Sequence, residues 1–129
     1  MKTTTGENLS NEQAMVIVLL DGPYISQYVD IGYKMAKSAL KLGYTVKIFL
    51  YMDGVHIPRK NQNPRDFPNI SQNFTKLIEK GCEIKACVRC AAARGYTDQS
   101  NYLEGVEITS VYDLAEWIDE NSKVVMLGS

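Results

Sequence analysis

Cys87 and Cys90 stand in a Cys-x-x-Cys spacing, with Arg89 between them and Arg94 four residues beyond the second thiol. A cysteine is a nucleophile only as its thiolate, and nearby positive charge favours that form. Cys87 falls where an apolar run ends and an alanine-rich helix begins. A cysteine there meets the positive end of the helix dipole and its free amide groups. Arg89 and Arg94 add charge of the same sign. The pattern points to Cys87 as a thiol able to attack or to carry sulfur. A free cysteine at this place is otherwise a small buried hydrophobe. Cys90 is either a resolving thiol, pairing with Cys87 as a disulfide or accepting sulfur from it, or a residue turned to the core. Val88-Arg89 differs from the compact dipeptides of thioredoxin-like sites.

Cys82 extends the spacing to C-x4-C-x2-C, and there is no fourth cysteine. Strand alternation puts Cys82, Ile84 and Ala86 on one face and Cys87 on the other. The two thiols are then roughly 16 Å apart along the strand. No metal site is expected, and Cys82 reads as core. His56 is the only histidine. It follows Asp53-Gly54, a turn signal, in a loop that carries Arg59, Lys60 and Arg65. It could shuttle protons if that loop folds over Cys87, or it is simply exposed. Asp53, Gly54 and His56 are the site-loop candidates. No GxGxxG, GxxxxGK[ST] or GxSxG motif occurs, and no cofactor is expected.

The elements that position these residues alternate. Met15–Leu20 is a continuous apolar run suited to a strand buried on both faces. Tyr28–Leu42 has helical spacing and ends at Gly43. Thr45–Met52 reads as a second strand. Residues 54–69 form a long loop, of a length often functional in compact domains. Ser71–Lys80 is a helix ended by Gly81, and Cys82–Val88 a third strand. Arg89–Arg94 is helical, stopped by Gly95. Tyr96–Gly105 is a polar connection with a turn of helix, and Val106–Ile108 a short strand. Ser110 opens a helix with a capping-box-like Ser-x-x-Asp, Asp113 reaching back. Leu114, Trp117 and Ile118 then face the core, and Lys123–Leu127 is a final buried strand. This order predicts an α/β fold: a flavodoxin-like three-layer arrangement, with a mostly parallel five-stranded sheet and helices on both faces.

The chain has 129 residues, 45% hydrophobic and 22% charged, with a net charge of −1. These values suit one globular domain over residues 14–129, after a disordered lead-in at 1–13. Near-neutral charge argues against direct nucleic-acid binding. No apolar run reaches membrane-span length, and the polar start lacks a signal-peptide core. An odd cysteine count argues for a reducing, cytoplasmic setting. Tyr24, Tyr28, Tyr96 and Tyr102, near loops and helix starts, suit either interfaces or half-buried filling.

The run Ala86-Cys87-Val88-Arg89-Cys90-Ala91-Ala92-Ala93-Arg94-Gly95 resembles the cysteine motif of the DsrE/TusD-like (DsrE/DsrF-like) sulfur-relay proteins. Phe49-Leu50-Tyr51-Met52-Asp53-Gly54-Val55 is similar to that family's second strand and Asp-Gly turn, and Ala36–Val46 also fits. The resemblance runs from Met15 to the C-terminus. It implies a small cytoplasmic flavodoxin-like protein assembled as a homo-oligomer (trimer or hexamer) or with homologous chains. It implies a persulfide on Cys87, with sulfur passed from a donor protein to an acceptor protein for sulfur oxidation or tRNA thiolation. Cys90 departs from the tRNA-thiolation pattern, where small apolar residues follow the cysteine. A thiol–disulfide protein using Cys87 and Cys90, or a non-catalytic oligomeric binding module, are the other readings.

Overall fold

The computed structural model describes residues 13–129. The expected lead-in therefore lies, but for Gln13, outside the described residues. Five strands, β1 Ala14–Leu19, β2 Thr45–Leu50, β3 Glu83–Cys87, β4 Val106–Thr109 and β5 Ser122–Leu127, form one sheet in the order β4-β3-β2-β1-β5. Every neighbouring pair is parallel. The helices are α1 Tyr28–Lys41, α2 Ile70–Glu79, α3 Val88–Ala93 and α4 Tyr112–Trp117.

The three-layer α/β expectation holds, and the register shows how. Paired residues of parallel strands point the same way, so Ile17, Ile48 and Ile84 share one face while Val18, Phe49 and Lys85 share the other. α1 and α2 cover the first face. Gly32 lets α1 approach so closely that a Cβ there would sit 2.7 Å from Leu19 Cδ2. Phe74 and Leu77 of α2 are buried, and Tyr33 of α1 packs on Phe74. α4 covers the second face, with the Trp117 ring edge-on to Phe49 at 6.1 Å. The consecutive burial of Val16, Ile17, Val18 and Leu19 is what a strand clad on both sides requires.

Local signals account for the element ends. Gly43, Gly81 and Gly95 each have φ near +90° to +100°, the left-handed conformation that closes a helix. Asn69 caps α2, its side chain accepting from the Ser71 and Gln72 N–H groups.

Three expectations are corrected. Asp113 does not reach back to Ser110: Lys85 Nζ at 2.9 Å and Thr109 Oγ1 at 2.8 Å claim its carboxylate. Lys85 also faces Glu83 and Glu107, beneath the Trp117 ring. The last strand, β5, is an edge strand and not a buried one, because the chain returns to the outside of β1; Met126 is 62% exposed. Ile118, just past α4, is exposed as well.

The opposite edge is closed differently. The Gln99 side-chain amide donates to the Val106 carbonyl and accepts from the Ile108 N–H, copying a strand partner for β4. The connection that holds Gln99 also ties down the long loop: Arg59 pairs with Tyr102, and Leu103 N–H donates to the Pro58 carbonyl.

Candidate functional site

β3 delivers Cys87 to the carboxyl edge of the sheet, where it is the N-cap residue of α3. Its strand neighbour is Thr109 of β4. α3 is six residues long, so the helix field expected at Cys87 comes from a short element. Cys90 lies one turn along, and the two thiols are close enough to interact. Both are buried, as is Cys82, and all three are free thiols. Cys82 belongs to the α1/α2 face, the opposite side from Cys87, and burial pushes its thiol up to about 12. That separation agrees with the alternation argument. Among the described residues, no group of three His, Cys, Asp or Glu side chains is placed to hold a metal ion.

A 3₁₀ turn, Met52–His56, packs against α3 and β3, the elements that carry the two thiols. Met52 takes φ +51°, a conformation that L side chains adopt only when their surroundings impose it. Its backbone N–H faces the Cys90 sulfur. Burial raises the Cys90 thiol; the Met52 N–H and the Arg94 charge oppose that rise, and Cys87 adds to it.

Gly54 explains how the turn can lie so low. It is buried against the end of β1, and a Cβ there would collide with the Leu19 carbonyl oxygen and sit 3.0 Å from its carbon. The Asp-Gly pair is thus part of a helical turn whose glycine is demanded by backbone contact.

The two arginines separate. Arg94 bonds Asp53 Oδ1 through Nε at 2.8 Å and the Cys90 carbonyl through Nη1 at 3.0 Å, clamping the turn onto α3. Arg89 is exposed, and the charge acting on Cys90 comes from Arg94. Of the two, Arg94 is the one whose charge acts on Cys90, and its guanidinium is shared with Asp53.

His56 is half-buried beside this clamp. Its Nδ1 shares a 2.8 Å hydrogen bond with Tyr96 Oη, and its Nε2 stands 3.9 Å from Asp53, too far for a hydrogen bond. Burial lowers its pKa; Asp53 works the other way, while Arg94 and Arg59 lower it further. The net direction favours the neutral ring.

Tyr96 and Tyr102 complete the cluster. Tyr96 stands edge-on to His56 at 5.4 Å and against Tyr102 at 5.3 Å. Tyr102 is buried, donates to the Val55 carbonyl at 2.7 Å, and has its phenol pushed well up by burial, with Tyr96, Cys90 and Cys87 adding to the effect. It is no interface residue. In sequence both tyrosines stood out only for their place near loops and helix starts, and no local signal put either beside the thiols. What the arrangement offers chemically is a shielded pair of thiols, a backbone donor, one shared cation and a neutral His–Tyr pair.

Comparison with known proteins gives consistent matches. The family model described as DsrE/DsrF-like family matches residues 13–127. An uncharacterized protein of Methanopyrus kandleri, MK0008, is 37% identical over 111 residues, covering 86% of this chain and 91% of that one. YchN of Escherichia coli is 28% identical over 88% of this chain and 97% of its own. The crystal structure of the E. coli ychN protein superposes with a TM-score of 0.83 at 27% identity, covering 89% of this chain and 99% of that one. MTH1491 of Methanobacterium thermoautotrophicum, of unknown function, shares the fold with a TM-score of 0.75 at 18% identity, over 89% and 99% of the two chains.

Proposed function

The chain belongs to the DsrE/DsrF-like family, and we propose that it carries sulfane sulfur as a persulfide on Cys87 and passes it to a partner protein. The observation that carries this reading is the placement of Cys87: at the carboxyl end of β3, paired with a second thiol and shielded by the Met52–His56 turn. The Cys87 thiolate attacks the outer sulfur of a donor persulfide. The donor S–S bond breaks, and the inner sulfur leaves as a thiolate with the electron pair. Delivery repeats the exchange, with an acceptor thiolate attacking the outer sulfur and Cys87 leaving. No oxidant or reductant is consumed. Burial of both thiols protects the bound sulfur from water-borne reductants, so the partner must reach it by displacing the covering turn. Sulfur oxidation and tRNA thiolation are the processes such a carrier would serve.

Incubation with a sulfur donor followed by mass spectrometry is expected to show an adduct of about +32 Da, one sulfur atom. It should disappear in Cys87→Ser and persist in Cys82→Ser. An unchanged adduct in Cys87→Ser overturns the reading.

The contact between the two thiols favours one second reading, a redox pair. There a two-electron oxidant removes both thiol hydrogens and joins Cys87 to Cys90. Failure to form that disulfide under mild oxidant rules it out. Three free thiols suit a reducing compartment such as the cytoplasm. Among the described residues no helix is long and apolar enough to cross a membrane. The groove in which Ile25 and Phe67 are exposed beside Tyr24 supports assembly as a homo-oligomer or with homologous chains; a strictly monomeric mass by light scattering counts against it.

A further inference from the structure

One oxygen of Asp53 stands between two basic nitrogens. Asp53 Oδ1 accepts from Arg94 Nε at 2.8 Å, and His56 Nε2 lies 3.9 Å from the same atom. The two nitrogens belong to different elements. Arg94 is the C-cap residue of α3, so its bond ties the Met52–His56 turn to the helix that carries Cys90. His56 belongs to the turn itself, three residues after Asp53, and in a 3₁₀ turn side chains three apart lie one above the other. A bond from His56 to Asp53 would be internal to the turn and would not reach α3.

The neutral ring leaves Asp53 to Arg94. A protonated ring donates from both nitrogens and turns a full positive charge on Asp53. The groups that face it come from three elements. Asp53 is on its own turn, Arg94 and Tyr96 are at and just past the end of α3, and Arg59 is on the segment that follows the turn. The loop after β1 brings Gly22, Pro23, Tyr24 and Ile25 to the ring's other side, and its carboxylate, Asp21, is taken by Ser26 and Ser129. The imidazolium is thus drawn to Asp53 and repelled by Arg94 and Arg59.

What the Arg94–Asp53 bond holds is a strained contact. Met52, the neighbour of Asp53, takes φ +51°, and its N–H faces the Cys90 sulfur. The middle of the turn is fixed independently, by the Tyr102 bond to the Val55 carbonyl and by the seating of Gly54 on Leu19. Loosening Asp53 from Arg94 therefore frees the Met52 end and leaves the rest seated.

We infer that His56 and Asp53 form an acid-operated release, in which protonation of the ring draws the Asp53 carboxylate off Arg94 and the Met52 end of the turn lifts from Cys90. The closed arrangement disfavours the charged ring, through its burial and through Arg94 and Arg59. Release relieves that penalty, so proton uptake and opening favour each other. The consequence for function rests on the persulfide reading of Cys87: acidification makes the paired thiols easier for a partner protein to reach.

The test follows the isotope-labelled full chain by NMR from pH 8 to pH 5. The Arg94 Nε–H resonance is expected to move with the midpoint of the His56 ring. Exchange of the Met52 amide, corrected for the pH dependence of a free amide, should lose about two- to fivefold protection, the range of a partly exposed ion pair. His56→Gln should remove both responses, and Asp53→Asn should remove them while His56 still titrates. An Arg94 resonance that stays still as His56 titrates overturns the inference. So does a ring that takes no proton before the fold is lost, or an equal loss of Met52 protection in His56→Gln. Persulfide loading of Cys87 is measured separately at pH 8. Normal loading beside a failed release overturns this inference alone, and absent loading overturns the carrier reading alone.

Discussion

Replacing Gly54 by alanine tests the geometry of the site without touching its chemistry. The added Cβ would collide with the Leu19 carbonyl oxygen and stand 3.0 Å from its carbon, against an ordinary contact of 3.4–4 Å. The obstacle is backbone, and that oxygen already accepts the Tyr51 N–H at 3.0 Å, so β1 cannot yield without losing a bond. The Met52–His56 turn must lift instead, on the order of an ångström. Overpacking against a buried strand then costs about 3 kcal/mol, or roughly 10 °C in Tm for a chain of this size. The same lift moves the Met52 N–H off Cys90 and strains the Arg94–Asp53 bond. Persulfide loading of Cys87 should therefore change along with stability. Gly43→Ala is the comparison: that glycine has φ +92° but nothing within 4 Å, so only conformational strain of about 1 kcal/mol applies. Thermal melts by circular dichroism and adduct mass spectra read both effects. A Gly54→Ala chain as stable as Gly43→Ala, with normal loading, would refute the close-approach argument.

The His56 imidazole is held below its usual value, chiefly by burial, so the unfolded chain takes up the proton first as pH falls. The stability this contributes is complete above about pH 6.5 and is lost as pH drops from there through the folded value. Tm measured from pH 8 to 5 should fall more steeply in the wild type than in His56→Gln; parallel curves contradict it. Cys82, raised to about 12, should resist iodoacetamide at pH 8 until the chain is unfolded, as peptide mapping would reveal; rapid native labelling is the contrary result. Tyr102→Phe strands the buried Val55 carbonyl and should lower stability by about 1–2 kcal/mol in urea titrations, with no loss indicating that water replaces the hydroxyl.

Much of the scaffold was legible because its signals are local. Apolar runs marked the strands, and glycines marked the helix stops. Two-residue alternation separated Cys82 from Cys87. What escaped depended on neighbours far along the chain. The Lys123–Leu127 run is apolar enough for a core strand, but its exposure follows from strand order, which no local pattern encodes. Asp113 had a credible partner three residues away in Ser110, yet Lys85, 28 residues distant, took it. Arg89 and Arg94 look alike in sequence; helix geometry brings only the residue four past Cys90 back to that residue's carbonyl. The His56–Tyr96 bond spans 40 residues and could not be read from either side.

The amide of Gln99 has a consequence for how sheets of this protein could meet. A visiting strand at β4 must first evict a side chain that already satisfies the Val106 carbonyl and the Ile108 N–H. At β5, among the described residues, no side chain bonds the outward-facing backbone. Among the described residues, β5 is thus the one border left open to a further strand. Two copies meeting border to border along a twofold axis would consume both open borders at once. Strand addition by this route stops at a pair and cannot propagate into a filament.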